Sequence, residues 1–134
     1  MISKKRRRKK KRKSRYHTGV HVSPKAGECC YRSGWELAYC RHLDEDPNVV
    51  SYEYEGVVVG YVSNVKSGKI RKYFPDFLVT YANGSQKLIE IKPKNRLVQP
   101  KVMKKVAAAE LWCADHGAEF QIVTEVELRE LGLL

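Results

Sequence analysis

Asp76, Glu90 and Lys92 are the side chains best placed by type and spacing to do chemistry. Each acid interrupts a run that is otherwise apolar, β-branched or aromatic: Tyr73-Phe74-Pro75-Asp76-Phe77-Leu78-Val79 and Leu88-Ile89-Glu90-Ile91-Lys92. Runs of this composition read as strands, where a buried position favours an apolar side chain. Glu90 and Lys92 are two residues apart and so share one face of their strand. Two carboxylates and an ammonium converging on one sheet surface cost desolvation and add little packing. A divalent cation and a phosphate would account for them. Asp76 and Glu90 offer the hard oxygens that Mg²⁺ takes, with Mn²⁺ able to substitute. The Ile91 carbonyl could add a backbone ligand, and water and substrate phosphate would complete the shell. A metal held there lowers the pKa of a water and neutralises charge on the attacked phosphate. Lys92 would orient that water or stabilise the developing negative charge. The plainer alternative is a surface Glu–Lys pair beside a strand-end Asp, an arrangement worth little energetically.

These residues meet only in one hairpin register. Asn83-Gly84 between the two runs is a strong turn signal. A two-residue turn would set Asp76 opposite Ile91, on the face away from Glu90 and Lys92. Shifting the parity by one sets it opposite Glu90. The apolar pattern favours the shift, since it gathers Phe77, Val79, Tyr81, Ile89 and Ile91 on one face and leaves Asp76, Thr80, Glu90 and Lys92 on the other. The expectation is a three-residue loop with Gly84 left-handed, or a bulge.

The rest of the chain supplies the scaffold. Residues 16–31, punctuated by Gly19, Pro24 and Gly27, read as an irregular lead-in. Ser33 to Leu43 reads as a short amphipathic helix, Ser33 and Glu36 fitting a capping box. Val49 to Val62 and Ile70 to Tyr81 read as strands around a turn at Asn64 to Gly68, with Gln86 to Lys92 as the hairpin partner. Lys101 to His116 carries Val102, Val106, Ala109 and Cys113 at helical spacing, and Gly117 is its C-cap. Ala118 to Thr124 reads as a strand, and Thr124 with Glu127 opens a final helix through a second capping box. The long helix could return the chain to a parallel neighbouring strand. The order specifies a mixed α/β domain without internal repeats.

The chain has 134 residues, enough for one domain with a core, and a formal charge of +11. That charge is concentrated. Lys4, Lys5, Arg6, Arg7, Arg8, Lys9, Lys10, Lys11, Arg12, Lys13 and Arg15 supply eleven of the 26 basic residues, and the other fifteen balance fifteen acids. Residues 1–16 therefore read as a disordered polybasic arm, and 17–134 as the folded domain. An arm of this density favours binding of a polyanion such as DNA over a merely solubilising role. No apolar run is long enough to span a bilayer, and no apolar segment follows the basic start, so neither a membrane partner nor a secretory signal is expected. Cys29, Cys30, Cys40 and Cys113 form no CxxC pair and read as free thiols in a reducing cytoplasm.

Pro75-Asp76, thirteen intervening residues and Glu90-Ile91-Lys92 resemble the PD-(D/E)xK nuclease superfamily. Further blocks resemble its TnsA-type endonuclease branch and phage head-completion nucleases. They are Tyr31-Arg32-Ser33-Gly34-Trp35-Glu36, Asp46-Pro47-Asn48-Val49, Arg71-Lys72-Tyr73-Phe74, Pro93-Lys94 and Phe120-Gln121-Ile122-Val123-Thr124-Glu125. The likeness covers about residues 31–128. It implies a restriction-endonuclease-like core, a mixed sheet of about four strands flanked by helices. It also implies phosphodiester hydrolysis by a metal-activated water without a covalent intermediate. A helical glutamate before the sheet serves such families as a further metal ligand or its orienter, which falls on Glu36. Lys94, Arg96, Lys101, Lys104 and Lys105 follow the motif as backbone contacts for DNA, or as a solvated helix face.

The expected activity is thus that of a Mg²⁺-dependent DNA endonuclease encoded by a phage or mobile element, of homing or head-completion type. It would act in the host cytoplasm or in the virion. A homodimer would pair two sites for double-strand cutting, and a capsid or transposition protein is the other partner the likeness suggests. The alternatives are a nuclease-fold protein that binds DNA structurally during head completion with little cutting, and a basic RNA-binding protein whose acids are ordinary surface charges.

Overall fold

The computed structural model describes residues 18–134. The arm from Lys4 to Arg15 lies outside the described residues. The lead-in is more regular than expected, because β1 (His21–Ser23) and β2 (Gly27–Cys29) pair as an antiparallel hairpin. Helix α1 (Gly34–Glu45) starts at Ser33, whose hydroxyl accepts the Glu36 N–H at 3.1 Å. Its C-terminal end is closed by Lys25, which donates to the carbonyls of Leu43 and Asp46 at 2.9 and 2.7 Å.

The two long strands expected next are each broken. Val49 to Val62 divides into β3 (Val49–Tyr54) and β4 (Val59–Asn64) around Glu55, whose φ of 53° is left-handed. Residues 70–81 divide into β5 (Lys69–Tyr73) and β6 (Phe77–Tyr81) around Phe74-Pro75-Asp76. Pro75 brings no N–H to a ladder and Gly56 follows the left-handed residue, so both strands leave the main sheet at one level. Outside it, β4 and β5 pair only with each other, as an antiparallel ribbon.

The main sheet adds β7 (Gln86–Ile91) and β8 (Glu119–Val123) in the order β3-β6-β7-β8. Its β7–β8 pair is parallel, and α2 (Pro100–His116) makes the crossover between them. Pro100 sits in the first turn of α2 and Gly117 closes it at φ 68°, both positions that suit those residues. Thr124 and Glu127 form the expected capping box of α3 (Glu125–Glu130). Four mixed strands between helices make this a restriction-endonuclease-like α/β fold.

The β6–β7 hairpin takes the shifted register. Phe77 pairs with Ile89 and Thr80 with Gln86, and Tyr81 N–H reaches the Ser85 carbonyl at 2.9 Å. Ala82, Asn83 and Gly84 form a three-residue loop, with Gly84 at φ 87°. One face of the sheet packs Phe77, Val79, Ile89 and Ile91 against Tyr39, Cys40 and Leu43 of α1. The opposite face is apolar too: Leu88 joins Val59, Tyr61 and Tyr73 of the ribbon and Ala109 and Cys113 of α2. The sheet is therefore covered on both sides, and the acids lie at the end of the second face.

Candidate active site

Pro75 turns the chain into β6 with Asp76 immediately before it, and continuing the Phe77–Ile89 register by one pair sets Asp76 level with Glu90. The Ile91 N–H donates to Asp76 Oδ2 at 2.7 Å, tying the two strands at the site. Glu90 is held from both sides. Its Oε1 accepts the Tyr73 hydroxyl at 2.7 Å, and its Oε2 lies 3.2 Å from Lys92 Nζ. Both acids are only 7% exposed. Burial pushes the Asp76 carboxyl well above its ordinary range, and the charges of Glu90 and Glu36 push it further. The Ile91 N–H and Lys92 oppose that rise only in part. Burial and Glu90 together push the Tyr73 phenol up, so it remains a donor.

Glu36 approaches from α1 but stands to one side. Its Oε1 accepts the Tyr54 hydroxyl at 2.6 Å and the Arg32 N–H at 2.9 Å. The capping box is thus half formed, because the carboxylate reaches back to Arg32 and not to Ser33. Among the described residues no three His, Cys, Asp or Glu side chains gather closely enough to hold a metal by themselves. Glu36 is therefore not brought into one ligand group with Asp76 and Glu90, although its charge reaches Asp76. The four cysteines are free thiols.

Glu55 belongs to the same acidic rim and was not among the expected residues. Its N–H donates to the Asp76 carbonyl at 2.9 Å and its carboxylate meets Arg32 at 3.2 Å. Burial raises the Glu55 carboxyl; Arg32 opposes this, and the charges of Glu36 and Glu90 add to it. The signal available in the chain was Glu55-Gly56 interrupting a strand pattern. Tyr54 and Tyr73 lie against the two apolar clusters of the sheet. Their hydroxyls also fix Glu36 and Glu90.

The basic residues after the motif divide into groups. Lys105 lies over the Tyr73 ring, 5.3 Å from its centroid, behind Glu90. Burial lowers the Lys105 pKa, Lys101 and Lys92 lower it further, and Glu90 opposes them. Lys101 and Lys104 face the β4–β5 ribbon across a cleft. Lys94 and Arg96 are exposed on a 3₁₀ turn, and the Lys94 N–H donates to Glu125 at 2.9 Å.

The donor set suits a hard divalent cation. Two buried carboxylates repel one another with one close ammonium, Lys92, beside Glu90, a balance that an added cation improves. Mg²⁺ sites commonly use one or two carboxylates and leave the remaining positions to water and phosphate. Two acids without a complete cage meet that description.

Residues 46–125 match the family described as "TnsA-like endonuclease N terminal". That span contains Asp76, Glu90, Lys92 and Lys105, whereas Glu36 precedes it. The chain is also similar to the head completion nuclease of Enterobacteria phage T4, at 31% identity over 124 residues. The aligned region covers 76% of this chain and 82% of that protein.

Proposed function

Because this chain belongs to the TnsA-like endonuclease family, we propose that it hydrolyses DNA phosphodiester bonds with Mg²⁺ held by Asp76 and Glu90, in the completion of phage heads. Mn²⁺ would serve as a substitute. The observation that carries the reading is the pair of buried acids, with the Asp76 carboxyl raised by burial and then by its neighbours' charge, and Glu90 fixed from both sides. A divalent cation bound there supplies charge neutralisation at the phosphate and a lowered pKa for the attacking water.

The protein's own groups do the positioning. Ile91 N–H holds Asp76 Oδ2, and the carboxylate would offer an oxygen to a cation. Tyr73 fixes Glu90, and the Ile91 carbonyl would add a backbone ligand. Lys92 places an ammonium beside Glu90, where it orients the water and stabilises negative charge as the bond breaks. Glu36 and Glu55 keep the rim negative, favouring cation entry. The head-completion role rests on the likeness to the T4 nuclease.

A supercoiled-plasmid assay tests this, run with Mg²⁺, with EDTA, and with Asp76→Ala purified identically. Nicking or linearisation that needs the metal and is lost in the variant is the expected result. Equal behaviour of wild type and variant, with DNA shifted but uncut, would replace hydrolysis with a binding role.

A further inference from the structure

The β4–β5 ribbon stands off the main sheet and forms a cleft of about 630 Å³ with the first turns of α2. Strand alternation makes this face of β5 cationic. Lys69, Arg71 and Tyr73 point one way, and Ile70 and Lys72 the other. Lys69 and Arg71 line the cleft opposite Lys101 and Lys104, with Tyr61, Ser63 and Asn64 between them. No acid lines it, and among the described residues none of these four cations forms an ion pair. The first turn of α2 has no acidic residue either. Lys104 spans the gap, donating to the Ser63 carbonyl at 3.0 Å, so ribbon and helix are tied at the spacing observed.

The cleft leads to the acids. Tyr61 borders it, and Lys105 lies 6.0 Å from the Tyr61 ring centroid and 5.3 Å from that of Tyr73, whose hydroxyl holds Glu90. Four cations at one end and a carboxylate pair at the other would lead a polyanion toward a metal.

We infer that this cleft binds the phosphate backbone of duplex DNA beside the reacting phosphate, with Lys69, Arg71 and Lys101 as its contacts. The inference rests on the nuclease reading for the identity of the reacting phosphate, but the binding itself is separable from cutting. Its contacts would position the backbone without reading base sequence.

The test uses the full chain, arm included. Binding of a labelled duplex is followed by fluorescence anisotropy in EDTA over a range of salt concentrations, and plasmid cutting is measured with the same proteins. Lys69→Ala/Arg71→Ala/Lys101→Ala is compared with Arg41→Ala/Lys72→Ala/Arg129→Ala, which removes equal charge from exposed positions off the cleft. Each lost phosphate contact lowers the salt slope by about one. The cleft triple should therefore lose about two to three from the slope and bind about tenfold more weakly at moderate salt, with the off-cleft triple close to wild type. Lys69→Arg/Arg71→Lys/Lys101→Arg, which keeps the charge, should restore binding and shows that the loss is not misfolding. Equal effects of the two alanine triples would overturn the cleft. A wild type that never cuts, alongside a cleft triple that binds weakly, would overturn the nuclease reading and leave the cleft standing.

Discussion

Two aspartates, one buried and one half-buried, show how differently one residue type can be housed in this molecule. Asp44, near the end of α1, accepts hydrogen bonds from Ser23 Oγ at 2.5 Å and the Tyr52 hydroxyl at 2.9 Å, and lies 2.7 Å from His21 Nε2. Burial alone would raise its carboxyl, yet bonds from Ser23, His21 and Tyr52 hold it below the ordinary range. Asp76 is more deeply buried, with one backbone N–H and two neighbouring acids, and its carboxyl is driven the opposite way. Asp44 is therefore a fastener joining the β1–β2 hairpin to α1 and β3. Asp76 is costly to keep charged until something positive arrives. Desolvation raises both carboxyls; the number of donors around each decides which way it finally moves.

The largest separation should come from removing each charge while keeping the shape. Asp76→Asn retains an oxygen for the Ile91 N–H, and should lower cleavage about a thousandfold, the worth of several kcal/mol of lost metal-assisted stabilisation. It should also melt higher in EDTA, and lose the stabilisation by Mg²⁺ expected of the wild type, about 2.7 kcal/mol at a hundred times Kd. Asp44→Asn should cut normally and keep the Mg²⁺ response while losing about 1.5–3 kcal/mol of stability. Plasmid cutting and thermal melts on both variants check this. A cutting defect in Asp44→Asn equal to that in Asp76→Asn would erase the distinction.

The tyrosines on the two acids sharpen it at smaller scale. Tyr73→Phe removes the hydroxyl from Glu90 and should slow cutting about tenfold, the worth of one hydrogen bond near 1–1.5 kcal/mol. Tyr52→Phe removes a donor from Asp44 and should leave the rate unchanged while lowering stability by about 1 kcal/mol. Single-turnover rates with denaturant titrations separate the two.

The smallest effect is the pH dependence that Asp44 contributes. Its folded pKa lies below the unfolded one, so between those values the unfolded chain binds the extra proton. Its contribution is complete above about pH 4, near the unfolded value, and is lost as pH falls through the folded value. Denaturant midpoints measured from pH 5 downward should fall less steeply in Asp44→Asn than in the wild type.

Much of the site was legible because it depends on short-range rules. Period-two alternation puts Glu90 and Lys92 on one face, and the apolar pattern with Gly84 selects the register that sets Asp76 beside Glu90. Caps at Ser33, Gly117 and Thr124 mark where helices start and stop. Strand boundaries were less legible, since apolar runs resume directly after the short interruptions at Glu55-Gly56 and Pro75-Asp76. Reading continuous strands there hid the ribbon, and with it the cleft of Lys69, Arg71, Lys101 and Lys104.

The chain by itself determined which acids and which lysine meet across the hairpin, because turn chemistry and side-chain alternation act between neighbours. Only the tertiary structure decided what surrounds them. Tyr73 meets Glu90, Tyr54 meets Glu36 and Lys105 covers Tyr73 because the ribbon swings off the sheet while α1 and α2 pack on opposite faces. Those contacts join residues far apart in sequence, so no local periodicity encodes them; they follow from burying both faces of one sheet at once.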